Sequence, residues 1–258
     1  MPFAADIHYF EHGSKNTNRP PLILLHGAGG FHLSWPPQAR RIPGAHIYAL
    51  DLPGHGQSLG AGRLTIEEYT EDVDTFLSAL DISSAVIAGY SMGSAIAVML
   101  ALTYPERARG LVLMGGGARL SVSPAILSGL SQPDTLLSTV QLINDHSFDR
   151  SVQPRLKELS TQRMATTRQP VLYNDFLASD GFDVTDRLTE IKVPTLIVCG
   201  AHDRMAPLRN SEFLHAGIAN SRLEVVENAG HMAILEQPDV ITGLLSRFLD
   251  ELPPPAGS

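Results

Sequence analysis

A chain of 258 residues, 43% apolar and 18% charged, can bury a substantial core as one large domain or one domain with an insertion, and is too apolar for disorder. A formal net charge of -8 argues against nucleic acid or an anionic membrane as partner and leaves a neutral small molecule open. Cys199 is the sole cysteine, which excludes an internal disulfide. The N-terminus lacks a basic start followed by an apolar run, and no stretch approaches about 18 uninterrupted apolar residues, so neither a secretory signal nor a transmembrane helix is expected. The default is a cytoplasmic protein.

In chain order, short apolar runs bounded by Gly, Pro or Asp occupy residues 21–25, 46–50, 85–88, 111–114, 195–198 and 223–226. The first five are nearly continuous in apolar residues, as strands buried on both faces of a parallel sheet are. Helical patterns lie between several of them. Over 65–80, Ile66, Tyr69, Val73, Phe76, Leu77 and Leu80 recur at spacings of three and four, and Thr65 followed by Glu68 reads as a capping box. Residues 92–104, rich in Ala and Met, form a second helix stopped before Pro105; 209–218 and 240–249 form a third and a fourth. Alternating strands and helices predict a mostly parallel α/β sheet covered on both faces. Residues 118–190 break the rhythm: they are polar, with spaced Leu and Ile and no buried-strand run. They are expected to form a helical cap over a core made of 1–117 and 191–252. A disordered tail is expected over 253–258.

Between the third strand and the second helix lies Gly89-Tyr90-Ser91-Met92-Gly93. The pattern G-x-S-x-G is common, and by itself it reads equally well as glycines that let a helix pack closely on a strand. Its position adds weight. A serine on a sharp strand-to-helix turn is pushed out above the sheet in an unfavourable backbone conformation, facing the positive end of the helix that begins at Met92. A serine hydroxyl needs an imidazole base oriented by a carboxylate. Asp203 and His231 follow the last two strands, so Ser91, Asp203 and His231 all fall at the carboxyl ends of strands, where ligands gather in open parallel sheets.

The motifs together resemble the α/β-hydrolase family over nearly the whole chain. His26-Gly27-Ala28-Gly29-Gly30 resembles its oxyanion loop, Asp51-Leu52-Pro53-Gly54-His55-Gly56-Gln57-Ser58 its D-x-P-G-H-G-x-S turn, and Gly89 to Gly93 its nucleophile elbow. Val193-Pro194-Thr195 with Gly200-Ala201-His202-Asp203 resembles the acid strand, and Asn228-Ala229-Gly230-His231 the histidine loop. The resemblance implies Ser91 as nucleophile, His231 as base, Asp203 as orienting acid, and the backbone N–H groups of Ala28 and Met92 as oxyanion hole. His26 and His55 read as structural, Asp51 as a hydrogen-bond partner of its own turn, and Asp74 and Asp81 as solvated. Phe31, Trp35 and Met232 are candidates for the substrate pocket, with Met205, Leu136, Leu137 and Phe176 behind them.

No cofactor and no metal is expected. The chain lacks a P-loop and a dinucleotide fingerprint, and its ten histidines show no H-E-x-x-H spacing or clustered ligand set. Serine at the elbow disfavours the epoxide-opening and dehalogenating branches of the family, which carry aspartate there. The preferred reading is a carboxylesterase for small to medium acyl chains. The alternatives are a lactonase of enol-lactone or acyl-homoserine-lactone type, or a carbon–carbon bond hydrolase using the same triad, with arginines of 118–190 to hold an anionic substrate. A slow-turnover ligand receptor of the same fold ranks last. The partner is a small-molecule ester or lactone.

Overall fold

A computed structural model describes residues 2–15 and 17–253. Eight strands form one sheet: β1 (Phe3–Ala4), β2 (Ile7–His12), β3 (Leu22–Leu25), β4 (Ile47–Leu50), β5 (Ala85–Tyr90), β6 (Ala108–Met114), β7 (Thr195–Gly200) and β8 (Ser221–Val226), in the spatial order β1-β2-β4-β3-β5-β6-β7-β8. All pairings from β4 to β8 are parallel; β1 and β2 are antiparallel additions at one edge.

The continuous apolar runs follow from the two-sided cover. Successive side chains of a strand point to opposite faces. Ile23, Leu25 and Ile87 enter a core shared with α2 (Ile66–Ala79) and α3 (Met92–Thr103), following the short α1 (Pro37–Arg40) in the chain. Leu22, Leu24, Val86 and Ala88 enter the core on the other face, which they share with Trp35 and Ala39. Ten α-helices lie among the described residues: α4 (Pro124–Leu130), α5 (Leu136–Ser147), α6 (Pro154–Met164), α7 (Gln169–Asp180), α8 (Leu208–Gly217), α9 (Ala233–Glu236) and α10 (Pro238–Glu251), after the three above. The capping box forms: Thr65 Oγ1 accepts from the Glu68 N–H at 3.2 Å, and the Glu68 carboxylate accepts from the Thr65 N–H at 3.2 Å. Helix α3 has no polar face, because residues 92–101 are buried all round between the sheet and its neighbours.

Two expectations need correction. Strands β1 and β2 are additional to the six expected runs; His8, Glu11 and His12 interrupt the apolar pattern of β2, and His8 is buried by pairing with Asp51 rather than by apolarity. Asp74 is not simply solvated: Arg107 Nε donates to it at 2.6 Å. The tail expected over 253–258 lies, apart from Pro253, outside the described residues. Between β6 and β7 the chain makes α4 to α7, and Ile126, Leu130, Val140, Ile143, Leu172 and Phe176 pack into a separate small core. No described helix is long and apolar enough to cross a membrane.

Candidate active site

Strand β5 ends and α3 begins at Ser91, whose backbone lies at φ 53°, ψ -123°. A positive φ is costly for any residue with a Cβ, on the order of 1–3 kcal/mol, and persists only where its surroundings enforce it. The enforcement is visible. The Ser91 N–H donates to Met114 O of β6 at 2.8 Å, and the Ser94 N–H returns to Ser91 O at 2.9 Å. Close backbone approach explains the flanking glycines. A Cβ on Gly89 would lie 2.0 Å from Gly93 O, and one on Gly93 would lie 2.4 Å from Leu25 O. Gly89→Ala is therefore expected to destabilise the fold by at least the roughly 1–3 kcal/mol typical of overpacking, read as a lower urea midpoint with unchanged slope. A midpoint equal to wild type would show that the turn has slack.

The Gly93 contact brings the end of β3 and the loop after it against the first turn of α3. Met92, as the first residue of that helix, has an N–H without an intrahelical acceptor. Ala28 lies in the neighbouring loop, and its N–H has no acceptor among the described residues. Ala28 and Ser91 line the same cavity.

Asp203, after β7, and His231, after β8, meet beside Ser91. His231 Nδ1 donates to Asp203 Oδ2 at 2.8 Å, while Asp203 Oδ1 accepts the N–H groups of Met205 and Ala206, each at 2.8 Å. This fixes the His231 proton on Nδ1 and leaves Nε2 as the lone-pair nitrogen. Burial pushes the His231 pKa down, but the adjoining Asp203 charge and hydrogen bond outweigh it, so the imidazole titrates above its ordinary 6.5.

Two cavities meet at this point. One, of about 150 Å³, is walled mainly by Ile143, Leu156, Leu159, Met164, Met232 and Leu235, with Arg163 among the polar residues that also line it. The other, of about 310 Å³, is lined by Arg119, Ser121, Arg209 and Asn210 among others. Ala28, Ser91, Phe176, Met205 and His231 border both. Of the pocket candidates, Met232, Met205 and Phe176 thus lie at the site. Trp35 does not: it is fully buried against Tyr90 beneath the loop, in the core on the far face of the sheet. Phe31 lines neither cavity and packs edge-on against His32. Leu136 packs on the small core of the β6–β7 segment and Leu137 is 57% exposed. Gly30 and Ser34 of the loop after β3 line the first cavity, whereas the side chains of Phe31 and Trp35 on the same loop pack elsewhere.

The histidines of the neighbouring motifs have definite protonation states. His26 Nε2 accepts the Leu52 N–H at 3.0 Å and its Nδ1 donates to Gly27 O at 2.8 Å, which requires the neutral ring; burial, then the positive charge of His55, lowers its pKa to about 4. His55 faces two acceptors, Pro53 O at 3.1 Å and Asp175 Oδ2 at 2.8 Å, which requires a proton on each nitrogen. Burial works against that charge, but Asp175 outweighs it and the His55 pKa is raised. Asp51 accepts from the Gln57 and His32 N–H groups and from Nδ1 of His8 and of His32. Burial alone would raise its pKa; the His32 and Gln57 bonds bring it down to about 2.

The last trio corrects a reading made from spacing. His8, His32 and Asp51 are far apart in sequence, yet they offer ligand atoms within 4.8 Å of one another. Both imidazole Nδ1 atoms are bonded to the carboxylate, while His8 Nε2 is buried with no hydrogen-bond partner among the described residues. Sequence reasoning also missed Asp175, Asp149 and Glu236. Asp149 takes Nδ1 of His202, and the Glu236 carboxylate accepts the Gly230 and Asp149 N–H groups at 2.9 and 2.8 Å, tying the histidine loop to the end of α5. No motif marks these residues; only the fold brings them in.

A family model described as alpha/beta hydrolase fold matches residues 20–238. The chain belongs to the alpha/beta hydrolase family. This hydrolase is 31% identical to a 2-hydroxy-6-oxononadienedioate/2-hydroxy-6-oxononatrienedioate hydrolase from Pseudomonas putida, over 95% of the chain and 92% of that protein. It superposes on the enol-lactonase from Burkholderia xenovorans LB400 with TM-score 0.88 and 25% identity, over 95% and 96% of the two chains. On a thermophilic esterase the TM-score is 0.80 at 28% identity, over 95% and 98%.

Proposed function

We propose that this hydrolase is a serine carboxylesterase for small to medium acyl chains, with Ser91, His231 and Asp203 as its triad and residues 118–190 as a cap that shapes the pocket. The observation that carries this reading is the strained Ser91 beside the Asp203–His231 pair, opening on a cavity walled mainly by apolar side chains, with Arg163 and three further serines among its lining residues. His231 Nε2 takes the Ser91 proton as Oγ attacks the ester carbonyl, and the Ala28 and Met92 N–H groups receive the oxyanion. Collapse expels the alcohol, which takes the proton from His231, and leaves an acyl group on Ser91. Water then gives its proton to His231 and attacks the acyl carbonyl; collapse releases the acid while His231 returns that proton to Ser91 Oγ. No step calls for a cofactor. A series of p-nitrophenyl esters from acetate to laurate tests the reading. Turnover is expected to peak at short to medium chains and fall toward laurate; absence of turnover at every length counts against an esterase.

The second cavity favours a second reading, a lactonase or carbon–carbon hydrolase with an anionic substrate. Arg209 makes no ion pair among the described residues, and Arg119 stands 3.7 Å from Asp183 with both side chains well exposed. Hydrogen bonds to charged groups contribute about 1.5–3 kcal/mol, so under this reading Arg209→Ala raises KM for a carboxylate-bearing ester about tenfold or more and leaves a neutral ester unchanged. Equal KM changes for both esters would leave the neutral-ester reading alone.

A further inference from the structure

The loop that carries Ala28 is gripped by a residue far away in sequence. Asp175, on α7 of the β6–β7 segment, is fully buried. Its Oδ2 accepts the Gly29 N–H and His55 Nε2–H, each at 2.8 Å, and its Oδ1 accepts Tyr69 O–H at 2.6 Å. From the same segment, Thr167 Oγ1 donates to Gly29 O at 3.0 Å. Both peptide groups of Gly29, the residue after Ala28, are thus held from above. Gly29 sits at φ 65°, a left-handed conformation, so the loop bends sharply at the point where it is gripped.

The chemistry of the partners calls for a carboxylate here. All three groups facing Asp175 are donors, so its oxygens act only as acceptors. His55 holds protons on both nitrogens, because Pro53 O occupies the other side. A buried imidazolium needs an opposite charge within bonding distance. The neighbouring ring, His26, 4.7 Å away between centroids, is neutral and supplies none. Asp51 lies on the same turn but is committed to His8, His32 and Gln57.

We propose that Asp175 is a positioning residue of the oxyanion hole: by holding Gly29 and the charged His55 from the β6–β7 segment, it aims the Ala28 N–H at the developing oxyanion and makes that donor depend on the docking of the segment. The inference rests on the reading of Ala28 as an oxyanion donor. Asp175 lines neither cavity that opens on Ser91, so its effect is assigned to the transition state rather than to substrate binding.

The test compares wild type, Asp175→Ala and Asp175→Asn. Loss of one oxyanion donor costs on the order of 10²–10³ in kcat, so Asp175→Ala is expected to lower kcat about 100-fold with KM within about threefold. Asp175→Asn keeps the shape and loses the charge; a drop of about tenfold in kcat is expected. A trifluoromethyl ketone, which adds to the serine as a tetrahedral oxyanion, should lose affinity in proportion to the loss of kcat/KM. A purely structural role would lower the fraction of active protein and leave the ketone affinity of the remaining active sites unchanged, and that result overturns the proposal. Hydrogen exchange of the amides at 27–30 gives a readout independent of turnover. Faster exchange in Asp175→Asn, in protein whose global unfolding midpoint matches wild type, supports the clamp even if wild type hydrolyses no ester, an outcome that would sink the esterase reading alone. Unchanged exchange overturns the clamp whatever the activity.

Discussion

Ser91→Ala is expected to lower kcat for the best p-nitrophenyl ester by on the order of 10⁴–10⁶, with folding intact. The size follows from the role. Under the proposed mechanism the hydroxyl forms the acyl-enzyme, and without it only the oxyanion donors and substrate binding would act on the ester. The substitution removes a side chain that holds no other part of the fold together: the turn at Ser91 is fixed through its backbone, by Met114 O and the Ser94 N–H, and by close packing at Gly89 and Gly93. Alanine accepts the positive φ no better than serine, so stability should stay close to wild type. Steady-state kinetics with a folding check decides it. Equal turnover in both proteins would remove Ser91 from the mechanism and move the chemistry elsewhere in the cavity.

Asp203→Asn is expected to cost on the order of 10⁴ in kcat, and to shift the pH profile as well. Asp203 Oδ2 keeps the His231 proton on Nδ1. An asparagine amide turned toward Nδ1 would donate to it and move the ring proton to Nε2, where it blocks acceptance from Ser91. The pH effect follows from the opposing influences on His231. In wild type, burial lowers its pKa, while the Asp203 charge and bond, with a smaller contribution from Glu236, raise it to a net position above 6.5. A protonated His231 has no lone pair for the Ser91 proton, so kcat/KM should fall as pH drops through that raised pKa, giving an acid limb above 6.5. With the carboxylate gone, burial dominates and the acid limb should move to lower pH even as the rate falls. A limb at the same pH in both proteins would show that the profile reports another group.

Much of the fold was legible because the buried strands are short and apolar on both faces. The runs at 85–88 and 195–198 lie within β5 and β7, and Thr65 with Glu68 marks the start of α2 to the residue. Strand β2 was not legible, because a buried His8 reads as polar until its partner Asp51 is known. The site divides in the same way. Ser91, Asp203 and His231 follow strands that can be read one at a time, so their place at one end of the sheet follows from strand direction alone. The pocket candidates Phe31 and Trp35 rested on nearness in sequence to the loop after β3. Nearness along the chain does not tell which side chains of a loop face a cavity: Gly30 and Ser34 line the first one, while Phe31 and Trp35 line neither.

By itself, then, the sequence determined the layered sheet, the turn that exposes Ser91 and the placing of Asp203 and His231 after the last two strands, because each depends on local periodicity or on a motif confined to a few residues. Only the tertiary structure decided which residues of 118–190 face Ser91, that His26 is neutral while His55 is charged, and that Asp175 grips Gly29. Those facts turn on burial and on hydrogen-bond partners up to 146 positions apart in the chain. A charged or polar side chain carries no mark of its partner until folding has excluded water and left it one group to bond.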